Sequence, residues 1–309
     1  MLDLTDDALG HPSADRPGER RQPETVLAGE NFPVALRVLP TRIRRHLLAL
    51  YTYARYVDDL GDEPDSAGRD DGPEARLAAL HHVERAVRAL YEGHPPRHPV
   101  LVRLAPTVVE CRFPLDPLLR LIEANRRDQQ VTRYPTFGAL VEYCHLSADP
   151  VGELVLHVFD AATPARITLS NRICTALQII EHLQDVAEDR RRGRIYLPTR
   201  DLAAAGVPEE TLDAARADEP LRKVVRRQAE RARELLDAGA PLVGDLRGWA
   251  RLAVGGYVAG GRAALAALAR ADYDPLPGPP KPTRAGIAAA WLRSWRIPAV
   301  GRRRTGAGG

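Results

Sequence analysis

The sequence predicts an all-α protein, and three observations lead to that prediction. Ala, Leu, Arg and Glu are abundant, whereas aromatic residues make up only 5% of the 309 residues; this balance favours helices. Apolar residues recur every three or four positions through most of the chain, which is typical of amphipathic helices. No segment has the convincing pattern of a strand. A hydrophobic content of 44% is enough for one sizeable core without metal or disulfide crosslinks.

The predicted helices follow one another with short breaks that contain Pro and Gly. Residues 1–28 lack periodicity and are predicted to be disordered. Thr41 is a suitable N-cap for a first helix that we expect to end near Asp62. Further helices are predicted over residues 74–92, 99–110, 114–128, 136–159, 167–191, 209–214, 219–238 and 242–271. The short apolar segment 194–198 is predicted to be a helix exit. Because no long linker separates the helices, residues 29–274 are predicted to form one domain.

The last segment, residues 275–309, is a Pro-rich basic tail. Five prolines lie between residues 275 and 282, and residues 281–309 carry seven positive charges and no negative charge. A short amphipathic piece contains Trp291 and Trp295. The simplest interpretation is a solvated tail. The alternative is a peripheral contact with an anionic membrane surface, where Trp lies at the interface and Arg approaches the lipid headgroups.

Charge and cysteine content exclude several classes of protein. Lys and Arg total 44 and Asp and Glu total 41, so a net charge of +3 gives no reason to expect a nucleic-acid partner. Cys111, Cys144 and Cys174 are widely spaced, which argues against a disulfide scaffold or a zinc ribbon. The N-terminus resembles no signal peptide, and no run of 18 apolar residues predicts a membrane span. We therefore expect a cytoplasmic protein, with at most a peripheral contact at the inner face of the membrane.

The first acidic motif is the segment Asp58-Asp59-Leu60-Gly61-Asp62. Asp58 and Asp62 are four residues apart, so a helix places their carboxylates on one face, one turn from each other. Tyr51 and Arg55 precede Asp58 by seven and three residues and share that face. Alone, such a motif is most often a solvated helix face.

The second acidic motif has the same form. Asp185 and Asp189 are again four residues apart, and Glu181 and Gln178 extend their face toward the N-terminus. Like charges at this spacing destabilise an isolated helix by a few tenths of a kcal/mol. Both motifs also lie on helices that are otherwise strongly apolar, where unpaired carboxylates are costly unless a cation binds them. Two matched motifs therefore favour a Mg²⁺ site that holds a diphosphate between two helices.

The segments around these motifs resemble the squalene and phytoene synthases, which join or rearrange prenyl chains head to head. The resemblance covers about residues 30–273. It depends on the segments 31–35, 51–63, 143–144, 178–189 and 193–198. The segments 29–35, 146–152 and 183–186 further resemble the hydroxysqualene synthases of bacterial hopanoid biosynthesis, a branch of this family.

The resemblance implies a single-domain isoprenoid synthase helical bundle with a central apolar cavity. It implies presqualene diphosphate as the substrate, hydroxysqualene and diphosphate as the products, and no use of NADPH. Separate enzymes would supply the substrate and reduce the product. Two or three Mg²⁺ ions would be held by Asp58, Asp62, Asp185 and Asp189, with Glu181 as a further ligand.

The remaining site residues are also implied by the resemblance. Arg55 would make a charge-assisted contact with the diphosphate. Tyr51, on the same face of the helix, would take part in catalysis and in substrate binding. Gly152 and the paired glycines 255–256 and 260–261 would leave room for a bulky C30 chain. The substrate-binding set is Phe32, Tyr51, Arg55, Tyr143, Val151, Gly152, Gln178 and Arg194, and further wall candidates are Val34, Leu47, Leu154 and Val155. His145 is a weaker candidate for steering water, and His182 is expected to be structural.

Three positions depart from the family pattern. Glu181 stands where many members carry Asn, which adds a negative charge to the motif. Gln184 stands where squalene and phytoene synthases often have Arg. No diphosphate-binding Tyr is carried over to residues 258–261, so Lys281 or Arg284 is left to supply a late basic contact.

Other functions remain open at this point. The nearest are squalene, dehydrosqualene and phytoene synthases, which condense two prenyl diphosphates. A chain-elongating prenyltransferase or a terpene cyclase is disfavoured, because the second motif is neither a second DDxxD nor an NSE-type triad. A non-catalytic subunit with the same fold is disfavoured by the intact acid pairs.

Overall fold

The computed structural model describes residues 39–62, 72–283 and 290. These ranges contain twelve α-helices and one 3-10 helix, and their sole β-type contact is a parallel bridge between Arg133 and Ile195. The all-α prediction is confirmed. The helices are α1 Thr41–Asp62, α2 Gly72–Tyr91, α3 Pro99–Glu110, α4 Leu115–Asp128, α5 Phe137–Ser147, α6 Asp149–Val158, α7 Pro164–Gln184, α8 Val186–Arg191, α9 Thr199–Ala204, α10 Glu219–Gly239, α11 Pro241–Asp245 and α12 Gly248–Arg270, with the 3-10 helix at Glu209–Asp213.

Three helices that were predicted as continuous are interrupted in the structure. The first break lies at Ala148, between α5 and α6, and Pro150 provides a reason because it has no N–H for the helical ladder. The second lies at Asp185, between α7 and α8. The third separates α11 from α12, where Leu246 is extended and Gly248 has φ +54°. The bounds of α1 and α3 match the prediction, whereas α9 was not predicted.

The core consists of two hydrophobic clusters. The N-terminal cluster is built mainly by α1–α4 and includes Tyr53, Val57 and Leu118. The C-terminal cluster is built mainly by α5 and α7–α12 and includes Ile180 and Leu236. Helix α6 belongs to both clusters, because Leu154 and Val155 pack in the first and Leu156 packs in the second.

Helix α7 is the central helix of the C-terminal cluster. It packs against α5, α6, α8, α10, α11 and α12, most extensively against α10. The close approach to α10 requires Gly239, since a Cβ there would lie 2.7 Å from the Leu169 carbonyl oxygen of α7. This packing fixes the helix that carries the second acidic motif.

Helix α12 is long and apolar enough to cross a membrane by length and composition alone. In its most apolar stretch, however, 61% of the residues are buried inside the protein. Such burial is typical of a helix in a protein core, and α12 packs as a core helix in this structure. The predicted disordered segment 1–28 and the tail beyond residue 283, apart from the buried Ala290, lie outside the described residues. The predicted domain boundaries therefore stay predictions.

Candidate active site

A cavity of about 340 Å³ lies between the two clusters. Its lining on α1 extends from Leu47 to Asp58, and its lining on α7 extends from Ser170 to Glu181. Each stretch contains twelve residues, and its first and last residues lie about 16 Å apart along the helix axis. The cavity is therefore elongated, and its walls are mostly Leu, Val, Ile and Ala.

The acidic ends of α1 and α7 meet at one end of this cavity. Asn125 and Asp128 lie one turn apart on α4 and connect the two helices. Asn125 Nδ2 donates to Asp58 Oδ1 at 3.0 Å, and the Tyr143 hydroxyl donates to Asp128 Oδ2 at 2.7 Å. The Tyr143 ring lies 6.3 Å from the His182 ring of α7. Polar groups are thus gathered at one end of an otherwise apolar chamber, which we call the acidic end.

The first acidic motif is positioned by α4. Asp58 and Tyr51 line the cavity together, as expected for residues seven positions apart on a helix. A Cβ at Gly61 would collide with the side chain of Asn125, so only glycine at this point lets α4 approach the carboxylate. Gln129 Nε2 also donates to the Gly61 carbonyl oxygen, at 2.8 Å. The side chain of Asp62 lies outside the described part of the chain.

Arg55 is half exposed, and its side chain contacts a residue one turn further along its own helix, α1. Its Nε lies 2.7 Å from Asp59 Oδ1, and its side chain is 50% exposed. It does not line the cavity. Exposed ion pairs such as this one contribute little to stability.

The second acidic motif is interrupted but keeps its spacing. Asp185 separates α7 from α8, and the Asp189 N–H still donates to the Asp185 carbonyl oxygen at 2.8 Å. Burial raises the pKa of Asp185 to about 6, and the charges of Asp189 and Glu188 add to this rise. Asp189 Oδ2 is buried and accepts no hydrogen bond from the described residues. Two repelling carboxyl groups with an unsatisfied oxygen suit a hard cation.

His182 connects this motif to the cavity. Its ring stacks on Tyr196 at 3.6 Å between centroids, and Nδ1 lies 3.8 Å from Asp189 Oδ2. Its Nε2 lies 3.3 Å from Gln178 Nε2, and Gln178 lines the cavity. A side chain that the sequence suggested to be structural therefore lies between a cavity wall and a candidate metal ligand.

The structure brings only some of the expected site residues to the cavity wall. Those that line it are Tyr51, Asp58, Val151, Gly152, Gln178 and Glu181. Those in the described chain that do not line it are Arg55, Tyr143, Asp185, Asp189 and Arg194. Phe32 and Val34 lie outside the described residues. Of the other wall candidates, Leu47 and Val155 line the cavity, and Leu154 is packed in the N-terminal cluster.

Sequence reasoning missed several polar residues of the site, among them Asn125, Ser147, Ser170 and Tyr257. Asn125 could have been noticed as an amide on the apolar face of α4. Within the described ranges, no three His, Cys, Asp or Glu side chains are grouped closely enough to hold a metal ion. Among the described side chains, the carboxylates at the acidic end therefore form no preassembled set of three metal ligands.

Comparison with known proteins decides the family. The squalene/phytoene synthase family profile matches residues 26–290, which is most of the chain. The chain belongs to the squalene/phytoene synthase family. It is 35% identical to the hydroxysqualene synthase of Zymomonas mobilis over 208 residues, which cover 67% of each protein. It is 34% identical to the phytoene synthase of Arthrospira platensis over 225 residues, covering 68% of this chain and 70% of that one.

A solved structure in the family agrees with this assignment. The squalene synthase HpnC from Alicyclobacillus acidocaldarius superposes with a TM-score of 0.72 at 35% identity, covering 82% of this chain and 95% of that one. A dehydrosqualene synthase superposes with a TM-score of 0.76 at 23% identity, covering 88% and 94%, which supports the fold. The predicted isoprenoid synthase helical fold is confirmed.

The structure shows the surroundings of two positions that depart from the family pattern. Glu181 is exposed where it meets the cavity, so its extra charge is partly solvated. Gln184 Nε2 donates to the Pro280 carbonyl oxygen at 2.7 Å. In this member of the family, an amide at position 184 ties the start of the tail to α7, next to the second motif.

Proposed function

We propose that this chain converts presqualene diphosphate and water into hydroxysqualene and diphosphate, with Mg²⁺ as cofactor. The observation that carries the proposal is the elongated apolar cavity with carboxylates at one end. A long hydrocarbon chain suits the walls, and its diphosphate suits the acidic end. The hydroxysqualene synthases among the relatives at 33–35% identity support this choice within the family.

The residues at the acidic end fit a divalent cation. A bound cation would satisfy the Asp189 oxygen, and its positive charge would offset the burial and the repulsion by Asp189 that together raise the pKa of Asp185. We infer that two or three Mg²⁺ ions would be held by Asp58, Asp62, Asp185 and Asp189, with Glu181 as a further ligand. Bound Mg²⁺ supplies neutralisation of the negative charge that builds up on the leaving diphosphate.

The protein's own side chains would perform the other tasks. Arg55 and Arg194 would contact diphosphate oxygens through charge-assisted hydrogen bonds. Tyr51 and Gln178, both on the cavity wall, would orient the chain beside the acidic end. The apolar walls would exclude bulk water from the carbocation that forms when the C–O bond breaks.

The rival function is head-to-head condensation of two prenyl diphosphates. It is favoured by one observation, the 34% identity to a phytoene synthase. A NADPH-dependent squalene synthase is less favoured, because the sequence contains no recognisable nicotinamide-binding motif. The proposal also requires other enzymes, one that condenses prenyl diphosphates to supply the substrate and one that reduces the product.

The deciding experiment supplies purified protein and Mg²⁺ with either presqualene diphosphate or farnesyl diphosphate, without NADPH. We expect hydroxysqualene from the first substrate and no coupled product from the second, as measured by gas chromatography and mass spectrometry. Formation of a C30 product from farnesyl diphosphate would refute the proposal in favour of the condensing rival. Omission of Mg²⁺ should abolish turnover, and EDTA-treated protein provides that control.

A further inference from the structure

One aromatic side chain connects the two hydrophobic clusters at the cavity. Helix α12 belongs to the C-terminal cluster, but its Tyr257 also packs against the N-terminal cluster. Among the partly buried apolar side chains of the described residues, Tyr257 and Phe159 are the two that pack against both clusters. Of these two, only Tyr257 lines the cavity. Because the cavity lies between the clusters, the Tyr257 side chain bridges the seam and forms its wall at that point.

Tyr257 keeps part of its surface, and that surface lies inside the protein. The residue is only partly buried, whereas burial and the neighbouring Cys174 raise the pKa of its phenol. A phenol enclosed by protein, on a side chain that still has surface, is what a residue at an internal cavity wall would show. Cys174 has the same combination, since it is partly buried and burial raises the pKa of its thiol to about 12. Tyr257 and Cys174 therefore border the same internal space.

The packing of α12 on α7 fixes the depth of Tyr257 in the cavity. A Cβ at Gly261 would lie 2.7 Å from Leu177 Cδ2, so the two helices approach closely at this point. Tyr257 precedes Gly261 by one turn, and its neighbour on α7 is Cys174. Cys174 precedes Glu181 by seven residues, which is about 10 Å along the helix axis. The Tyr257 ring is therefore well separated from the acidic end, at a depth that the hydrocarbon part of a bound prenyl diphosphate would reach.

The other walls at this depth differ in size from the Tyr257 ring. A Cβ on Gly152 of α6 would collide with Cys174 Sγ, so a glycine and a small thiol form the wall between α6 and α7. Tyr51 is the other aromatic residue of the described lining, and it precedes Asp58 by seven residues on α1. Two tyrosines thus face a wall of small residues, and Tyr257 is the one that connects the two clusters.

We propose that the Tyr257 ring limits the length of the prenyl chains that the cavity accepts, an inference that rests on the proposed function for the identity of the ligand. Prenyl chains are built from C5 isoprene units, and the phenol ring is similar in size to one such unit. Because protein interiors are closely packed, the space that the ring fills is closed to the substrate. With its diphosphate at the acidic end, a C15 chain fits beside the ring, and the additional unit of a C20 chain is excluded.

The test removes the ring and measures which chain length is preferred. Wild-type protein and the variant Tyr257→Leu are incubated with Mg²⁺ and either presqualene diphosphate (C30) or its C40 homologue prephytoene diphosphate, and kcat/KM is measured for each. The ratio of kcat/KM for the C40 substrate to that for the C30 substrate should rise about tenfold or more in Tyr257→Leu, since one methylene in an apolar pocket already changes specificity roughly 10–200-fold. Tyr257→Phe keeps the ring and should keep the wild-type ratio.

Phe159→Leu is the matched control, because Phe159 also packs against both clusters but does not line the cavity. This variant loosens the seam without opening the chamber, so its ratio should stay at the wild-type value. An equal rise in Phe159→Leu or in Tyr257→Phe would overturn the inference, as would an unchanged ratio in Tyr257→Leu.

A binding measurement separates this inference from the proposed function. Farnesyl (C15) and geranylgeranyl (C20) thiodiphosphates, which resist ionisation, are titrated into each protein with Mg²⁺ by calorimetry. The affinity for the C20 compound relative to the C15 compound should rise about tenfold or more in Tyr257→Leu. Tyr257→Met, which keeps more apolar volume, should change the ratio in the same direction and serves if Tyr257→Leu folds poorly. An unchanged ratio in the folded variants would overturn the inference. The expected rise, together with wild-type protein that forms no hydroxysqualene, would refute the proposed function alone.

Discussion

Asn125 illustrates how a single neutral side chain can prepare a charged site. It is buried on α4 and donates to Asp58 Oδ1 at 3.0 Å, which orients this carboxylate. Groups behind a metal ligand are often as important as the ligand itself. Asn125 also packs on Gly61, so the same residue sets both the orientation of the carboxylate and the approach of the helix.

We predict that Asn125→Ala raises the Mg²⁺ concentration for half-maximal activity by about tenfold or more. Gln129→Ala is the matched control, because Gln129 caps the end of α4, one turn beyond Asn125, and contacts the backbone of α1 at Gly61 instead of the carboxylate. The Mg²⁺ dependence of the control should stay near that of the wild type. Equal shifts in the two variants would show that α4 merely supports α1, and that Asp58 is not oriented through Asn125.

Local spacing was enough to place some of these residues and not others. Tyr51 and Asp58 could be assigned to one face because helix periodicity relates residues that are close in the chain. The contact between Asn125 and Asp58 joins residues 67 positions apart, and no local pattern reports such a pair. Ser147 was missed for a related reason, since its exposure to the cavity depends on a break that the apolar periodicity does not reveal.

At the scale of elements, the sequence identifies helices better than their ends. The predicted bounds 41–62 and 99–110 agree with α1 and α3, where Thr41 and Pro99 mark the starts. The breaks at Ala148 and Asp185 were not predicted, because the apolar periodicity continues through both of them. Each break lies beside the site: one follows Ser147, which lines the cavity, and the other lies at Asp185, the first carboxylate of the second motif.

The packing of α10 on α7 makes a prediction about glycine. A Cβ at Gly239 would lie 2.7 Å from a backbone oxygen of α7, and backbone yields less easily than a side chain. Gly239→Ala should therefore lower the free energy of unfolding by about 1–3 kcal/mol. Gly256→Ala on α12 is the control, since nothing lies within 4 Å of its Cβ, and it should raise stability by about 0.5–1 kcal/mol. Chemical denaturation of both variants measures the change in the free energy of unfolding. Equal changes in the two variants would contradict the close approach of α7 and α10.

At the scale of the whole molecule, the cavity is a consequence of two clusters that do not merge. Tyr257 and Phe159 pack against both clusters, and α6 contributes to each. The seam between them is long and apolar because it is lined by residues of both cores. Composition predicts that a core exists, and the family resemblance implies a central cavity. Neither indicates that the core would be divided, because that division depends on how α1 and α7 are held apart by α6.

The basic tail adds a prediction for the molecule as a whole. Residues 281–309 carry seven positive charges and no negative charge. Gln184 hydrogen-bonds to Pro280, so the residue just before this basic segment is attached to the domain. We propose that the tail attaches the enzyme to anionic membranes that contain its apolar substrate. Because Ala290 is buried, substitution is a cleaner test than truncation. Replacing Arg302, Arg303 and Arg304 with Gln should weaken binding to anionic vesicles by about 3 kcal/mol, on the order of 100-fold, at about 1 kcal/mol per charge.

The control for this experiment changes the net charge equally without changing the tail. Arg97, Arg103 and Arg200 are exposed and lie apart on the domain, and their replacement by Gln should leave vesicle binding close to that of the wild type. Sedimentation with phosphatidylserine vesicles measures binding, and neutral phosphatidylcholine vesicles should not distinguish the variants. Turnover of detergent-dispersed substrate should stay the same, since this assay does not depend on attachment to a membrane. Equal losses in the two triple variants would show that overall charge, and not the tail, governs attachment.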